Sequence, residues 1–324
     1  MQSTPSAKRR VVAMLGGNAF SAPDTELTMD GQFRFARRAL EALMPLIKPD
    51  TEVLLGHGNG PQVGHMLARV EAAAEEAYPL PLDVCVAESQ GELGYVLQQT
   101  LYNLLRERDI ARSVATVMTQ VVVAPDDPAF AHPDKPIGRF YDRARAEQLS
   151  AQGLEMREDA GRGWRRVVPS PRPLEVVEAE VVDQLLTAGV VVIAAGGGGV
   201  PVIRREQRLH GVEAVIDKDR VAALLADRVG AELLIILTGV PYAYRDFGTP
   251  TQRPIERISA HEVRALLEQG CFAAGSMAPK MEAAASFADR PGRRALVCDP
   301  SSLQGAMEGQ DGTIVYCSGE PELS

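Results

Sequence analysis

The chain has 324 residues, 45% of them apolar, which is enough for one large α/β domain or two smaller lobes. Its formal net charge of −9 argues against a nucleic-acid surface, where a basic stripe is needed. An anionic substrate must therefore be held by locally placed lysines and backbone amides. The four cysteines (Cys85, Cys271, Cys298 and Cys317) are scattered, form no C-x-x-C pair and imply no zinc site. They read as thiols of a reducing compartment. The basic N-terminus is followed by too short an apolar run for a signal peptide, and no stretch approaches the ~20 apolar residues of a membrane span. These features predict a cytoplasmic protein that works away from membranes.

Val11 to Leu15 is a continuous apolar run, as expected of a strand buried on both faces, and Gly16-Gly17-Asn18-Ala19 follows at once. Phe33, Ala36, Leu40, Leu43 and Ile47 have helical spacing over Asp30–Ile47, with Pro45 kinking or ending the last turn. Glu52 to Leu55 gives a short strand ending in Gly56-His57-Gly58-Asn59-Gly60-Pro61, and Pro61 suits the start of the next helix. A long helix is predicted from about Cys85 to Arg106, then strands at Val114–Met118 and Val121–Val123. From Pro125 to Pro173 prolines and charges replace the strand–helix rhythm, which predicts a small protruding subdomain or lid. A helix is expected from about Leu174 to Ala188.

Val190 to Ala195 is again wholly apolar and runs into Gly196-Gly197-Gly198-Gly199. A hairpin, the charged triplet Asp217-Lys218-Asp219 and a helix (VAALLADRV) follow; a helix start there is a plausible place for an anion. Glu232 to Leu237 is a further buried strand ending at Thr238-Gly239-Val240. Helices are expected near Ser259–Glu268 and Met277–Phe287, and edge strands at Ala295–Cys298 and Thr313–Tyr316. Strands alternating with helices imply a parallel sheet covered on both faces, which binds ligands beyond its strand carboxyl ends. Four glycine-bearing loops fall on that one edge.

Two nucleotide motifs fail: no stretch supplies G-x-x-x-x-G-K-[ST], and none of the glycine groups has G-x-G-x-x-G spacing. What remains is a set of amide-rich loops with Lys135, Lys218 and Lys280 in glycine- or proline-rich settings. Phosphoryl transfer asks for this: in-line positioning, positive charge and N–H donors around the transferred oxygens. Asp217 would hold two lysines in place or bind magnesium. His57 has the chemistry of a general base, but a lone histidine in a glycine-rich turn reads more readily as structural.

At this point the residues resemble a known family. LGGNA (15–19), GHGNGPQVG (56–64), KPIG (135–138), RRVVPSPRP (165–173), AGGGGVPVI (195–203), GVEAVIDKD (211–219) and GSMAPK (275–280) resemble carbamate kinases, members of the amino acid kinase family, over nearly the whole chain. The resemblance implies a three-layer αβα sandwich around a mainly parallel sheet of about eight strands, with a small protruding subdomain. It implies a single domain with an N-terminal acceptor lobe at about 8–188, including the subdomain at about 125–172, and a C-terminal nucleotide lobe at about 189–318. The implied reaction joins ATP and carbamate to give ADP and carbamoyl phosphate, usually run towards ATP in arginine or related catabolism.

By position, Gly16, Gly17, Asn18, Gly58, Asn59 and Gly60 would bind the acceptor and transferred phosphoryl group. Gly196, Gly197, Gly198, Asp217, Lys218, Thr238, Tyr242, Gly275, Ser276, Met277 and Lys280 would bind nucleotide. Lys135, Lys218, Lys280 and Asp217 would be catalytic, with ATP/ADP and Mg2+ as cofactors and a homodimer as the assembly. The metal ligands are left open. Relatives such as acetylglutamate kinases carry a lysine where this chain has Met14, and Lys135 is the replacement cation. Gly239 and Pro241 stand where relatives often differ. The competing readings are a related kinase of another small carboxylate and a non-catalytic ATP sensor.

Overall fold

The computed structural model describes residues 8–16, 28–159, 162–273 and 275–319. The expected acceptor residues Gly17 and Asn18 lie outside that set. The first part of the chain runs β1 (Arg9–Leu15), α1 (Met29–Leu43), β2 (Thr51–His57), α2 (Gly60–Ala72), α3 (Leu82–Glu107), β3 (Val114–Thr116) and β4 (Gln120–Val123). Next come β5 (Lys135–Tyr141), α4 (Arg143–Ala151), β6 (Met156–Glu158), β7 (Trp164–Val168), β8 (Pro173–Val176), α5 (Ala179–Thr187) and β9 (Val191–Ile193). There follow β10 (Val200–Arg205), β11 (Arg208–Gly211), α6 (Lys218–Arg228), β12 (Leu233–Leu237), β13 (Ala243–Arg245) and β14 (Arg253–Ile255). The last elements are β15 (Arg257–Ser259), α7 (Ala260–Glu268), α8 (Met277–Ala288), β16 (Arg294–Cys298), α9 (Leu303–Met307) and β17 (Thr313–Tyr316).

An eight-stranded sheet in the order β15-β17-β16-β12-β1-β2-β9-β3 forms the centre. From β16 to β3 all neighbours are parallel, and β17 runs antiparallel to β16. Successive side chains of a strand point to opposite faces, so each buried strand feeds two cores. Val12, Met14, Leu54, Val192 and Leu234 face Val182, Leu186, Val221, Leu225, Met281 and Phe287 of α5, α6 and α8. Val11, Ala13, Leu15, Val53, Leu55 and Ile235 face Ala36, Leu40, Leu43, Leu97, Leu101 and Leu303 of α1, α3 and α9. The αβα sandwich expected from the resemblance is the fold observed. β12, β1, β2 and β9 are adjacent and parallel, so their carboxyl-end loops gather along one edge.

Three sequence-based expectations need correcting. Residues 174–178 are not helical: Pro173–Val176 form β8, antiparallel to β4, and α5 starts only at Ala179. The Gln120 backbone N–H and side-chain amide both donate to the Glu178 carboxylate, at 2.7 and 2.9 Å, pinning that segment to β4. Val114–Met118 is a strand only to Thr116, and the chain then crosses to a second sheet, β11-β10-β4-β8, built on the expected hairpin after the glycine run. Finally, Ala295–Cys298 and Thr313–Tyr316 are inner strands; the sheet edge on their side is the three-residue β15. Pro45 acts as expected, since α1 stops at Leu43 and a 3-10 turn takes over.

The excursion between β4 and β8 is a three-stranded sheet, β5-β7-β6, with α4 against it. Pro136 is tolerated because β5 is an edge strand that pairs on one side only. Asp127 closes the neck of this excursion. Its Oδ1 accepts from the Ala129 N–H at 2.9 Å and its Oδ2 from the Arg172 N–H at 3.0 Å.

Candidate active site

The amino end of α6 organises the site. Asp217 is its N-cap: Oδ1 accepts the backbone N–H groups of Asp219 (3.0 Å) and Arg220 (3.3 Å), two of the donors a helix start leaves unpaired. The other oxygen, Oδ2, accepts from Lys135 Nζ at 3.2 Å. Lys135 comes from β5 in the protruding subdomain, 82 residues earlier. Asp219, one residue into the helix, turns inward and is 2% exposed. Its Oδ2 receives Lys280 Nζ of α8 at 2.8 Å and Lys218 Nζ at 3.5 Å. Three lysines from three separate elements thus converge on two aspartates two positions apart.

Their titration follows from who faces whom. Burial alone would raise the Asp217 carboxyl, but Lys135 and Lys218 beside it hold it below the usual carboxylate range. Burial opposes the Lys218 ammonium, yet Asp219 and Asp217 together raise it above the usual lysine value. Lys280 is lowered, because burial, together with the like charge of Lys218, outweighs the pull of Asp219 and Asp217. Asp219 Oδ1 is buried and has no hydrogen-bond partner. That oxygen is a hard donor of the kind a magnesium ion takes, and magnesium completes its octahedron with water and phosphate oxygens. Among the described residues no group of three or more His, Cys, Asp or Glu is placed to hold a metal.

Opposite the lysines lies the turn from β2 into α2. Gly58, Asn59 and Gly60 share a cavity of about 270 Å³ with Lys135, Gly197, Asp217 and Lys218. Asn59 is held by donating Nδ2 to Ser89 Oγ at 2.7 Å, and Ser89 donates to the Val86 carbonyl at 2.6 Å. The glycine run is shaped by its neighbours. Gly197 has φ +64°, and a Cβ there would fall 2.0 Å from Asn59 Nδ2; at Gly198, φ +89°, a Cβ would meet the Ile216 carbonyl oxygen at 2.2 Å. The run therefore lets Asn59 and the Asp217 segment approach one strand end, and only Gly197 of Gly196, Gly197 and Gly198 lines the cavity. Gly16 closes β1 against the Leu237 carbonyl, at the same sheet edge.

His57 is 1% exposed and lies beneath this loop rather than on the cavity wall. Burial lowers its imidazole to about 4, so it is neutral at physiological pH, with Nδ1 3.1 Å from the Gly58 carbonyl oxygen. The structural reading of His57 is the one its surroundings support.

A second cavity, about 220 Å³, lies past the end of β12 and is lined by Thr238, Gly239, Val240, Ser276 and Met277 together with Tyr244, Phe247 and Phe272. Tyr242, expected along the nucleotide, is not on this wall; its hydroxyl donates to Asp311 Oδ1 at 3.1 Å. Neither is Gly275 on the wall, although the next two residues are. Tyr244 and Phe247, which the sequence did not single out, are on this wall, their rings 5.8 Å apart between centroids and tilted by 43°. Asp219 and the cavity-lining Arg165 were missed as well. Asp219 had a signal, being the second acid of the D-K-D triplet; Arg165 had none beyond its motif.

A profile of the amino acid kinase family matches residues 9–299. The chain belongs to this family. Among curated relatives, the carbamate kinase-like protein YqeA of Escherichia coli (strain K12) is 47% identical over 95% of this chain and 99% of its own length. A carbamate kinase of Pyrococcus horikoshii is 44% identical over 94% of this chain and 98% of its own. Among solved structures, carbamate kinase from Giardia lamblia bound to AMP-PNP superposes with a TM-score of 0.90 at 40% identity, covering 96% of this chain and 99% of that one. Family membership makes Met14 informative. It is 1% exposed and packed in the sheet core against Gly56, so no cation stands at that position. The lysines that line the cavity beside the Gly58–Gly60 turn are Lys135 and Lys218.

Proposed function

We propose that the chain is a carbamate kinase, transferring the γ-phosphoryl group of ATP reversibly to carbamate, formed from ammonia and bicarbonate, and giving ADP and carbamoyl phosphate. The observation that carries this reading is the convergence of Lys135, Lys218 and Lys280 on Asp217 and Asp219, facing the Gly58–Gly60 turn across one cavity. The high identity and near-complete coverage of relatives named carbamate kinase support it.

In this reading a carboxylate oxygen of carbamate attacks the γ-phosphorus in line. The bond from that phosphorus to the β-bridging oxygen breaks, and ADP departs with the electron pair. Lys135 and the amides of the Gly58–Gly60 turn bind the acceptor and the moving phosphoryl group, a role the family resemblance extends to Gly16, Gly17 and Asn18. Lys218 and Lys280 neutralise charge on the β- and γ-phosphates, where preorganised cations favour the transition state. Asp217 and Asp219 hold the three ammonium groups apart and aimed inward. The adenosine end occupies the cavity walled by Thr238, Tyr244, Phe247, Ser276 and Met277. Asp219 Oδ1 would give one oxygen to a Mg2+ ion carried by the nucleotide, which lowers the phosphate charge that the lysines must offset.

Residues 8–188 would form the acceptor lobe and 189–318 the nucleotide lobe. A homodimer would form across the outer edge of β3, where Tyr95, Tyr102 and Met118 are 56, 50 and 46% exposed around one shallow cavity. None of the four cysteines is in a disulfide, which suits a cytoplasmic enzyme. Among the described residues no helix is long and apolar enough to cross a membrane. The test is ATP formation from ADP, Mg2+ and carbamoyl phosphate, read by luciferase, beside acetyl phosphate and other acyl phosphates. Carbamoyl phosphate is expected to be the preferred donor. No turnover with it, alongside turnover with another acyl phosphate, overturns the reading.

A further inference from the structure

Lys135 reaches the site on a subdomain that rests on the body through β5, which packs against α2 with the Tyr141 hydroxyl donating to Glu71 at 2.7 Å, and through a neck whose seat must also be fixed. Glu282 of α8 is placed to fix it. Its Oε2 accepts from Arg220 Nε and Nη2 of α6, at 3.1 and 2.8 Å, a forked carboxylate–guanidinium pair. Its Oε1 lies 3.1 Å from Nη2 of Arg172, the residue that ends the subdomain. The Arg172 N–H is in turn held by Asp127, which opens it. One carboxylate therefore joins the neck of the subdomain to both helices that carry the nucleotide-side lysines.

The spacing is telling. Glu282 lies two residues after Lys280 on α8, and Arg220 two residues after Lys218 on α6. The Lys280–Asp219 pair inside and the Glu282–Arg220 pair outside are thus neighbouring cross-links between the same two helices. The side chains of Arg172, Arg220 and Glu282 are 69, 27 and 31% exposed. Pairs this open to water add little to stability, so the link does little to hold the fold together. Its value lies in geometry, because a small displacement of a reacting group slows chemistry steeply.

We propose that Glu282 is a positioning residue for the transfer reaction: through Arg172 it seats the neck of the subdomain against α6 and α8, so that Lys135 arrives at Asp217. This rests on the carbamate kinase reading for its catalytic consequence, but not for its structural one. Glu282→Ala and Arg172→Ala should each lower kcat about tenfold, with nucleotide KM little changed and no large fall in Tm. Because Glu282 acts through Lys135, adding Glu282→Ala to Lys135→Ala should cost the residual turnover less than about twofold. Hydrogen exchange on the protein without substrates gives the second readout: the Arg172 amide and the β5 amides should exchange faster in Glu282→Ala than in wild type.

Equal kcat losses in the wild-type and Lys135→Ala backgrounds would overturn the proposal, as would wild-type turnover in Arg172→Ala. Unchanged exchange at Arg172 and β5 would also overturn it. If wild type makes no ATP from any acyl phosphate, it is the functional reading that fails, and the exchange comparison still decides the role of Glu282.

Discussion

Replacing Lys135 by alanine tests the centre of the mechanism. The ammonium sits 3.2 Å from Asp217 and lines the cavity, and it is the cation that the proposed mechanism sets on the acceptor side, where Met14 offers none. Two unit charges ~4 Å apart attract by about 4 kcal/mol at an effective dielectric of ~20. Lys135 is 36% exposed, so solvent screening leaves about half to three-quarters of that, some 2–3 kcal/mol of transition-state stabilisation. This corresponds to a loss of about 30- to 160-fold in kcat. The fold should survive. Asp217 keeps both of its capping bonds and Lys218 nearby, and an exposed pair such as Lys135–Asp217 contributes at most about 1 kcal/mol. The assay is carbamoyl phosphate-dependent ATP formation at saturating ADP, with a thermal melt on the same preparation. Turnover within about threefold of wild type, at unchanged Tm, would refute the reasoning.

Lys280→Met should behave differently, because it leaves the Asp219 carboxylate buried beside the more distant Lys218 alone. A loss of about 3 kcal/mol or more in stability is expected by denaturant titration, and Asp219→Asn added to it should restore stability but not turnover. For pH, the Asp217 carboxyl is depressed in the folded state, so its stabilisation is full above the ordinary value of 3.8 and is lost as pH falls through the lower folded value. Asp217→Asn should therefore flatten the fall of stability below about pH 4 in acid-unfolding curves; an unchanged slope counts against the pairing. Tyr244→Ala should raise the KM for ADP about two- to tenfold while leaving kcat nearly intact, as expected for an aromatic wall that binds without touching the reacting atoms. A change confined to kcat would place Tyr244 elsewhere in the mechanism.

The central strands were readable because burial on both faces leaves no polar alternation: β1, β2, β9 and β12 are near-continuous apolar runs. What escaped was decided by tertiary pairing. Leu174–Glu178 carries an apolar pattern that suits a helix, yet Gln120 and β4 hold it extended. β15 is three residues long, too short for any period to show. In the site, the lysines were conspicuous from their settings. The partner of Lys280 was not, because it lies 61 residues away on another helix, and no spacing rule joins α6 to α8. The glycine run was legible as a loop, but its purpose was not. Two of its positive φ angles serve Asn59 and Ile216 rather than a ligand alone.

β4 and β8 pair as direct antiparallel neighbours, which makes them the arms of a hairpin whose turn has been replaced by a whole subdomain. The entropy of closing a loop grows only with the logarithm of its length, so a turn of some fifty residues is thermodynamically little harder to close than one of ten. Its ends meet at a single carboxylate, Asp127. The sheet is thus indifferent to what hangs from that point, whereas the proposed mechanism depends on it for Lys135. If the subdomain serves the acceptor as proposed, such a joint lets acceptor preference drift by remodelling the appendage, while the parallel sheet and its helices stay untouched.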